Sequence, residues 1–474
     1  MRSGTVEAMT TVAAPVGTAA ARLAEFCAEL RWEQLPRDVQ ARTLELLLDL
    51  IGVGLAGSRQ ASSVPAAEVA VSLGGAGRAT LFGSGRGATS AVWAALANGT
   101  AAHAVELDDV TTESSLHPGV AVIPAALALA EELDASPAAL LEAIVCGYEV
   151  TMRVGNALNP ASAYARGFHP TGVAGIFGAT LAAGRLLGLE PLELTNALGI
   201  AGTLASGSLE YLADGAWTKR LNPGWAGHAG MTAARLAQAG FTGPATAFEG
   251  RLGVLHAYTD APNPDRLLDG LGNPRELQLM HVSIKPYACC RYNHGLIDCV
   301  LSLARQHQIA PGSVQRIRLG VLSGGALLVA DPIDQKREPQ SIVDAQFSAP
   351  YAAAVALVFA TGGIDAYTPE KLHDPAVRGL MARTDCYTDP ALDARYPREW
   401  PAAAEIQLTD GTVVSTRVDF ATGEPENPIS RAALVEKFVS LAAESVANPR
   451  ALAEIILALD AAPDLSGLGA ALRN

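Results

Sequence analysis

Asn98-Gly-Thr-Ala-Ala-His103-Ala-Val-Glu106-Leu-Asp108-Asp109-Val-Thr-Thr-Glu113-Ser-Ser-Leu-His117-Pro-Gly119 sets two imidazoles and four carboxylates within fifteen positions, His103 to His117, of a chain in which only 17% of residues are charged. Ala- and Leu-rich segments flank it, Ala88 to Leu96 before and Val120 to Leu133 after. The stretch therefore reads as a helix end, a loop and a second helix over 120–133, with His117-Pro118-Gly119 leading into that helix. Side chains there sit near helix termini, where backbone N–H groups are unpaired and anions are welcome.

Outward from this stretch, composition narrows the class. At 474 residues the chain can bury a large core and divides into about two domains. Hydrophobic residues reach 49%, yet no run approaches the roughly 20 apolar residues of a membrane span, and the longest candidate, Leu46 to Ala56, contains Asp49. No apolar leader region is visible at the N-terminus, and a cytoplasmic location is expected. A net charge of −14 without a basic block argues against nucleic acid and anionic membrane as partners. An anionic substrate would have to be met by a few local cations. The six cysteines, Cys27, Cys146, Cys289, Cys290, Cys299 and Cys386, have neither zinc-ligand nor cluster-binding spacing, so reduced packing thiols and no metal are expected.

Residues 1–17 are small and polar and are expected to be flexible. An all-helical domain is expected over 18–274, where Leu23, Phe26, Cys27 and Leu30, and then Val39, Thr43, Leu46, Leu47 and Ile51, keep a spacing of three to four. Ala79 to Gly83 reads as a short extended piece, and Ser84-Gly85-Arg86-Gly87 as a turn without phosphate-loop spacing. Glycines inside helical pattern, as in Gly172 to Gly178, predict close helix packing. A smaller α/β domain is expected over 275–425, with strands at Val282 to Ile284 and Val314 to Val321, a helix from Gly295 to His307, and a hairpin from Ala404 to Asp419 turning at Asp410-Gly411. Residues 426–474 supply last helices, Arg431 to Val446 and Pro449 to Ala461, expected to pack back on the helical domain.

Four further segments place polar groups in apolar surroundings. They are Gly167-Phe-His169-Pro-Thr-Gly172, Ala216-Trp217-Thr-Lys219-Arg220-Leu-Asn222-Pro-Gly-Trp-Ala-Gly-His228, Ile284-Lys285-Pro-Tyr287-Ala-Cys-Cys-Arg291-Tyr-Asn-His294, and Asp344-Ala-Gln346-Phe-Ser348-Ala-Pro-Tyr351. Each alone is readable as a helix cap, a packed side chain or a solvated turn.

Together with Asp214 to Trp225 and Gly243-Pro…Glu249-Gly-Arg251, these motifs resemble, in order and over nearly the whole chain, the MmgE/PrpD family. That family includes 2-methylcitrate dehydratase, cis-aconitate decarboxylase and iminodisuccinate epimerase. The resemblance implies a mostly α fold, a large all-helical domain plus a smaller α/β domain, a homodimer, and a junction site that uses no metal or organic cofactor. By segment it carries site roles onto the acids before His117, His117, His169, Lys219, Lys285 and Tyr351. Glu106 stands where decarboxylase members have Asp, Val110 where they have Thr, and Cys290 where they have His. Dehydration is accordingly the expected chemistry and epimerisation the alternative, ahead of decarboxylation or a non-catalytic carboxylate-binding role.

All three family reactions pass through an anionic, enolate-like state beside a carboxylate, which cations must hold in a water-poor pocket. Expected as substrate-binding are Lys219, Lys285, Arg291 and His103. His117 and His169 are the expected acid–base groups, with Asp109 or Glu106 orienting a histidine and Tyr351 completing the site. His169, just before Pro170-Thr171-Gly172, is the expected proton acceptor.

Overall fold

The computed structural model describes residues 17–83, 85–396 and 398–473. The N-terminal stretch read as flexible lies, apart from Gly17, outside the described residues, as does Ser84 of the glycine turn.

Alanine, leucine and glycine with proline at helix starts dictate the larger part of the molecule. Pro137, Pro170 and Pro191 each open a helix, where the missing N–H is no loss and the fixed φ already suits the helix. Helix Pro170–Leu186 packs on Pro137–Leu158 and on Thr218–Gln238, which also lies against Ala91–Ala102. The glycines permit this approach: a Cβ on Gly178 would lie 2.3 Å from the Gly147 carbonyl oxygen, and one on Gly224 2.3 Å from that of Leu96. Helices Ala19–Glu29 and Arg37–Gly57 bury the positions their spacing predicted, Leu23, Cys27, Leu46, Leu47 and Ile51 among them. Ala79–Thr80 pairs antiparallel with Ala88–Thr89 to form the short extended piece.

The smaller part is built on a four-stranded sheet in the order Thr384–Thr388, Val314–Val321, Ala402–Leu408, Val413–Val418. The first pair is parallel and the others antiparallel. The hairpin turns at Asp410-Gly411, where Gly411 takes φ 87°, a value that costs glycine nothing. Helix His294–His307 covers the sheet, and Ile297, Val300, Ile317, Leu319 and Ile406 share a second core. The molecule is thus mostly α, a large helical part with a smaller α/β part.

Two details differ from the sequence reading. Val282–Ser283, expected to open the α/β domain, pairs antiparallel with Val110–Thr111 of the carboxylate-rich stretch instead. Two residues are too few for an independent strand, and the free edge beside Val110 satisfies their backbone. The last helices end earlier, at Ala442 and Leu457, and bury Phe438, Leu452 and Ile456 in the core of the helical part. No described helix is long and apolar enough to cross a membrane.

Candidate active site

Helix Ala91–Ala102 ends at His103, and helix Gly119–Leu133 begins just after His117, so the acidic stretch is the loop between two buried helix ends. Three elements hold it. The Val282–Ser283 pairing brings Lys285 against it, Gln346 Nε2 donates to the Val105 carbonyl at 3.3 Å, and Lys437 Nζ donates to the Leu107 carbonyl at 3.2 Å and to buried Asp49 at 2.6 Å. The loop therefore lies where the helical and α/β parts meet.

Asp108 is the hub. Its Oδ2 accepts from His103 Nδ1 at 2.7 Å and lies 2.9 Å from His117 Nδ1. His117 Nδ1 also donates to the Asp109 carbonyl at 2.7 Å. A carbonyl can only accept, so the proton of neutral His117 sits on Nδ1 and Nε2 is left as a free base. Burial alone would raise the Asp108 carboxyl, but the imidazoles of His117 and His103 and the Lys285 ammonium hold it well below the ordinary aspartate range. His103 is pushed down to about 4 by burial, against the pull of Asp108.

The ring of His103 lies between the other two imidazoles, 4.9 Å from His117 and 5.8 Å from His169, centroid to centroid. His169 caps helix Pro170–Leu186, and its Nδ1 accepts from the Asn222 amide at 3.1 Å, which puts the proton of the neutral ring on Nε2. Burial, then His103 and Lys219, hold its pKa well below the usual histidine value. His169 is thus a neutral N–H donor, where the sequence had pointed to an acceptor.

Glu106 faces the two lysines. Its side chain pairs with Lys219 and lies 3.9 Å from Lys285 Nζ, which also donates to the Glu106 carbonyl at 3.2 Å. Burial opposes its charge, but Lys219 and Lys285 hold the carboxyl down at about 2. Its φ of 56° is a left-handed backbone that costs a residue with a Cβ of order 1 kcal/mol or more, tolerated where contacts on both sides enforce it.

Three expected site residues lie elsewhere. The Asp109 side chain turns away from the histidines, accepting from Tyr148 Oη at 2.6 Å and from the Gly119 N–H at 3.1 Å, because adjacent residues in this loop point to opposite sides. Burial and neighbouring Asp108 raise it to about 7, against the hydrogen bond from Tyr148. Asp108, one of the acids before His117 but not the one expected to orient a histidine, takes that role instead. Tyr351 is buried in the core of the α/β part and donates to the Ala366 carbonyl at 2.8 Å. Arg291 pairs with Glu424 and stacks 5.3 Å from the Trp400 ring, an interior ion pair of the α/β part. Asn222 was legible in principle: it stands three residues after Lys219 on helix Thr218–Gln238, so the two share a face.

Cys289 and Cys290 are buried thiols whose pKa burial raises, and Cys290 N–H donates to the Gln346 carbonyl at 2.9 Å. Potential ligand atoms of His103, Asp108 and His117 come within 4.8 Å of one another, a cluster that cysteine spacing could not foretell. His103 Nδ1–H is directed at Asp108 and His117 Nδ1–H at the Asp109 carbonyl, so a metal bound through these nitrogens would have to displace both protons.

Two family profiles and several curated proteins match the chain. The MmgE/PrpD N-terminal domain profile matches residues 21–267 and the MmgE/PrpD C-terminal domain profile residues 287–461. The chain is 29% identical to the cis-aconitate decarboxylase-like protein oryM of Aspergillus oryzae over 96% of its length and 97% of that protein. It is 27% identical to cis-aconitate decarboxylase of Aspergillus terreus over 94% of each chain, and 26% identical to that of Mus musculus over 86% of this chain and 83% of the relative.

Proposed function

The chain belongs to the MmgE/PrpD family, and on that premise we propose that it is a lyase acting on a small di- or tricarboxylate, with loss of water as its reaction. The observation that carries this reading is His117: Nδ1–H is committed to the Asp109 carbonyl beside the Asp108 carboxylate, and Nε2 is free on a side chain that stays 14% exposed. His117 Nε2 removes the proton from the carbon next to a substrate carboxylate, and the positive charge it gains is held by Asp108. Electron density moves onto that carboxylate, where Lys219, Lys285 and the His169 Nε2–H stabilise it. The C–O bond then breaks, the double bond forms, and the proton on His117 passes to the departing hydroxyl, so that water leaves and the base is restored. One base serves both steps, and no metal or redox partner enters the balance.

Epimerisation would require a group on the opposite face that delivers a proton to the carbanion and can take it back, and His169, a neutral ring whose Nδ1 is taken by Asn222, would have to become an imidazolate to do so. Decarboxylation is the second reading, favoured by the activity in the relatives' names. It would use the same cluster with His117 protonated at the start, delivering its proton to the carbanion left by carbon dioxide. Proton NMR in deuterium oxide with a panel of hydroxy and unsaturated di- and tricarboxylic acids separates the three. New vinyl signals with loss of water support dehydration, loss of a carbon establishes decarboxylation, and exchange or inversion at one carbon establishes epimerisation. No reaction with any member of the panel overturns the lyase reading.

A further inference from the structure

Glu106 and Lys219 of the site stand at one side of a cavity of about 880 Å³, which runs outward from them between the helical and α/β parts. At the ~30 Å³ that one water takes up in the liquid, this space holds roughly 29 water-sized groups, about twice the non-hydrogen atoms of a citrate-sized acid. The head group and its hydration account for only part of it.

Large apolar side chains stand on both walls of the remainder, among polar ones. Leu212 and Trp217 line it from the helical side, and Leu327, Leu328 and Phe347 from the α/β side. Leu327 is 82% exposed, Leu212 58% and Trp217 51%, an arrangement that costs free energy in water and that an apolar occupant would reverse. The Phe347 ring begins this surface directly beside the polar end, with Lys219 Nζ 5.2 Å from its centroid. Beyond Glu106 and Lys219 the lining carries two cations, Lys336, which donates to the Leu328 carbonyl at 2.6 Å, and Arg220, which donates to Ser62 Oγ at 2.9 Å, against three acids, Asp334, Glu338 and Asp344. A second anionic group at the far end would meet repulsion there, whereas a neutral chain would not.

We infer that the substrate carries an extended, uncharged apolar substituent on its polycarboxylate head, seated along Leu212, Trp217, Leu327 and Phe347. This rests on the reading of the polar end given above and adds the feature that selects among acids sharing that head.

The test is a homologous series of hydroxy polycarboxylates bearing n-alkyl chains from methyl to octyl, assayed with the full-length protein. Expected is a rise in kcat/KM of about three- to fourfold per added methylene while the chain remains in the cavity. In Leu327→Asp and Trp217→Ala that slope flattens. Both side chains are largely exposed, so neither change should disturb folding. Turnover of the short acids with a flat or falling slope overturns the apolar-tail proposal while leaving the lyase reading standing. Absence of turnover across the whole series overturns both. If Leu327→Asp instead halves the mass in light scattering and the wild-type slope is flat, the patch is a contact between copies of the chain and the proposal fails.

Discussion

Asp108 and Asp109 are neighbours of the same chemical type with opposite fates, and the difference lies in which way each side chain points. Asp108 meets two imidazoles and Lys285 and stays ionised, whereas Asp109 is buried away from any cation beside Asp108 and is held up at about 7 despite the hydrogen bonds from Tyr148 and the Gly119 N–H. Relative to 3.8 for an ordinary aspartate, the folded protein binds a proton on Asp109 that the unfolded chain has released. Stability contributed by that proton is therefore present below pH about 4 and lost as pH rises through about 7. Denaturation midpoints of Asp109→Asn, compared with wild type over this range, should lack that decline. Catalysis should divide differently. His117→Gln is expected to lower kcat by about two to four orders of magnitude, and His169→Phe by about two to three with partial recovery in His169→Gln, which keeps an N–H donor. Asn222→Leu frees His169 to change tautomer and should lower kcat more than it raises KM. Steady-state kinetics on the identified substrate read all four variants. Chelator treatment is expected to leave activity unchanged, and loss restored by one divalent ion would assign His103, Asp108 and His117 to a metal.

At the scale of elements, the site is made by helix ends and by a two-residue strand pair. Helix Thr218–Gln238 supplies Lys219 and Asn222 from its first turns, and Gly224 lets those turns approach Ala91–Ala102 closely enough to face the acidic loop. Gly224→Ala would place a methyl 2.3 Å from the Leu96 carbonyl oxygen and 2.5 Å from Thr100 Oγ1, backbone and side chain that cannot both yield. A loss of about 1–3 kcal/mol is expected, read as a lowered Tm, together with a raised KM because Lys219 moves with the helix. The helices, the strand Val314–Val321 and the Asp410-Gly411 hairpin were legible because burial periodicity and turn chemistry are local. The Val282–Ser283 pairing was not, since a strand of two residues has no pattern and its partner lies far away in the chain.

At the scale of the molecule, the exposed apolar surface is not spread evenly. Helix Ser63–Gly74 shows solvent Val69 at 45%, Val71 at 48% and Leu73 at 62%, in a protein whose net charge of −14 would otherwise favour separation. We propose that this helix is buried in a homodimer. Light scattering at micromolar concentration should give twice the mass of 48.9 kDa, and Val71→Glu with Leu73→Glu should return the monomer mass.

The sequence by itself determined the class of fold, the family, and most residues of the polar site, because hydrophobic period, proline and glycine placement and motif order are properties of the chain alone. Lys219, Lys285, Glu106, His103, His117 and His169 are gathered at one place by the structure. What only the tertiary structure decided was orientation. Which aspartate faces the histidines, which ring nitrogen carries each proton, and whether Tyr351 and Arg291 reach the site depend on side-chain direction and on partners distant in the chain. The Asp109 carbonyl, the Asn222 amide, the Ala366 carbonyl and Glu424 are those partners, and only folding brings them within hydrogen-bonding or ion-pairing reach.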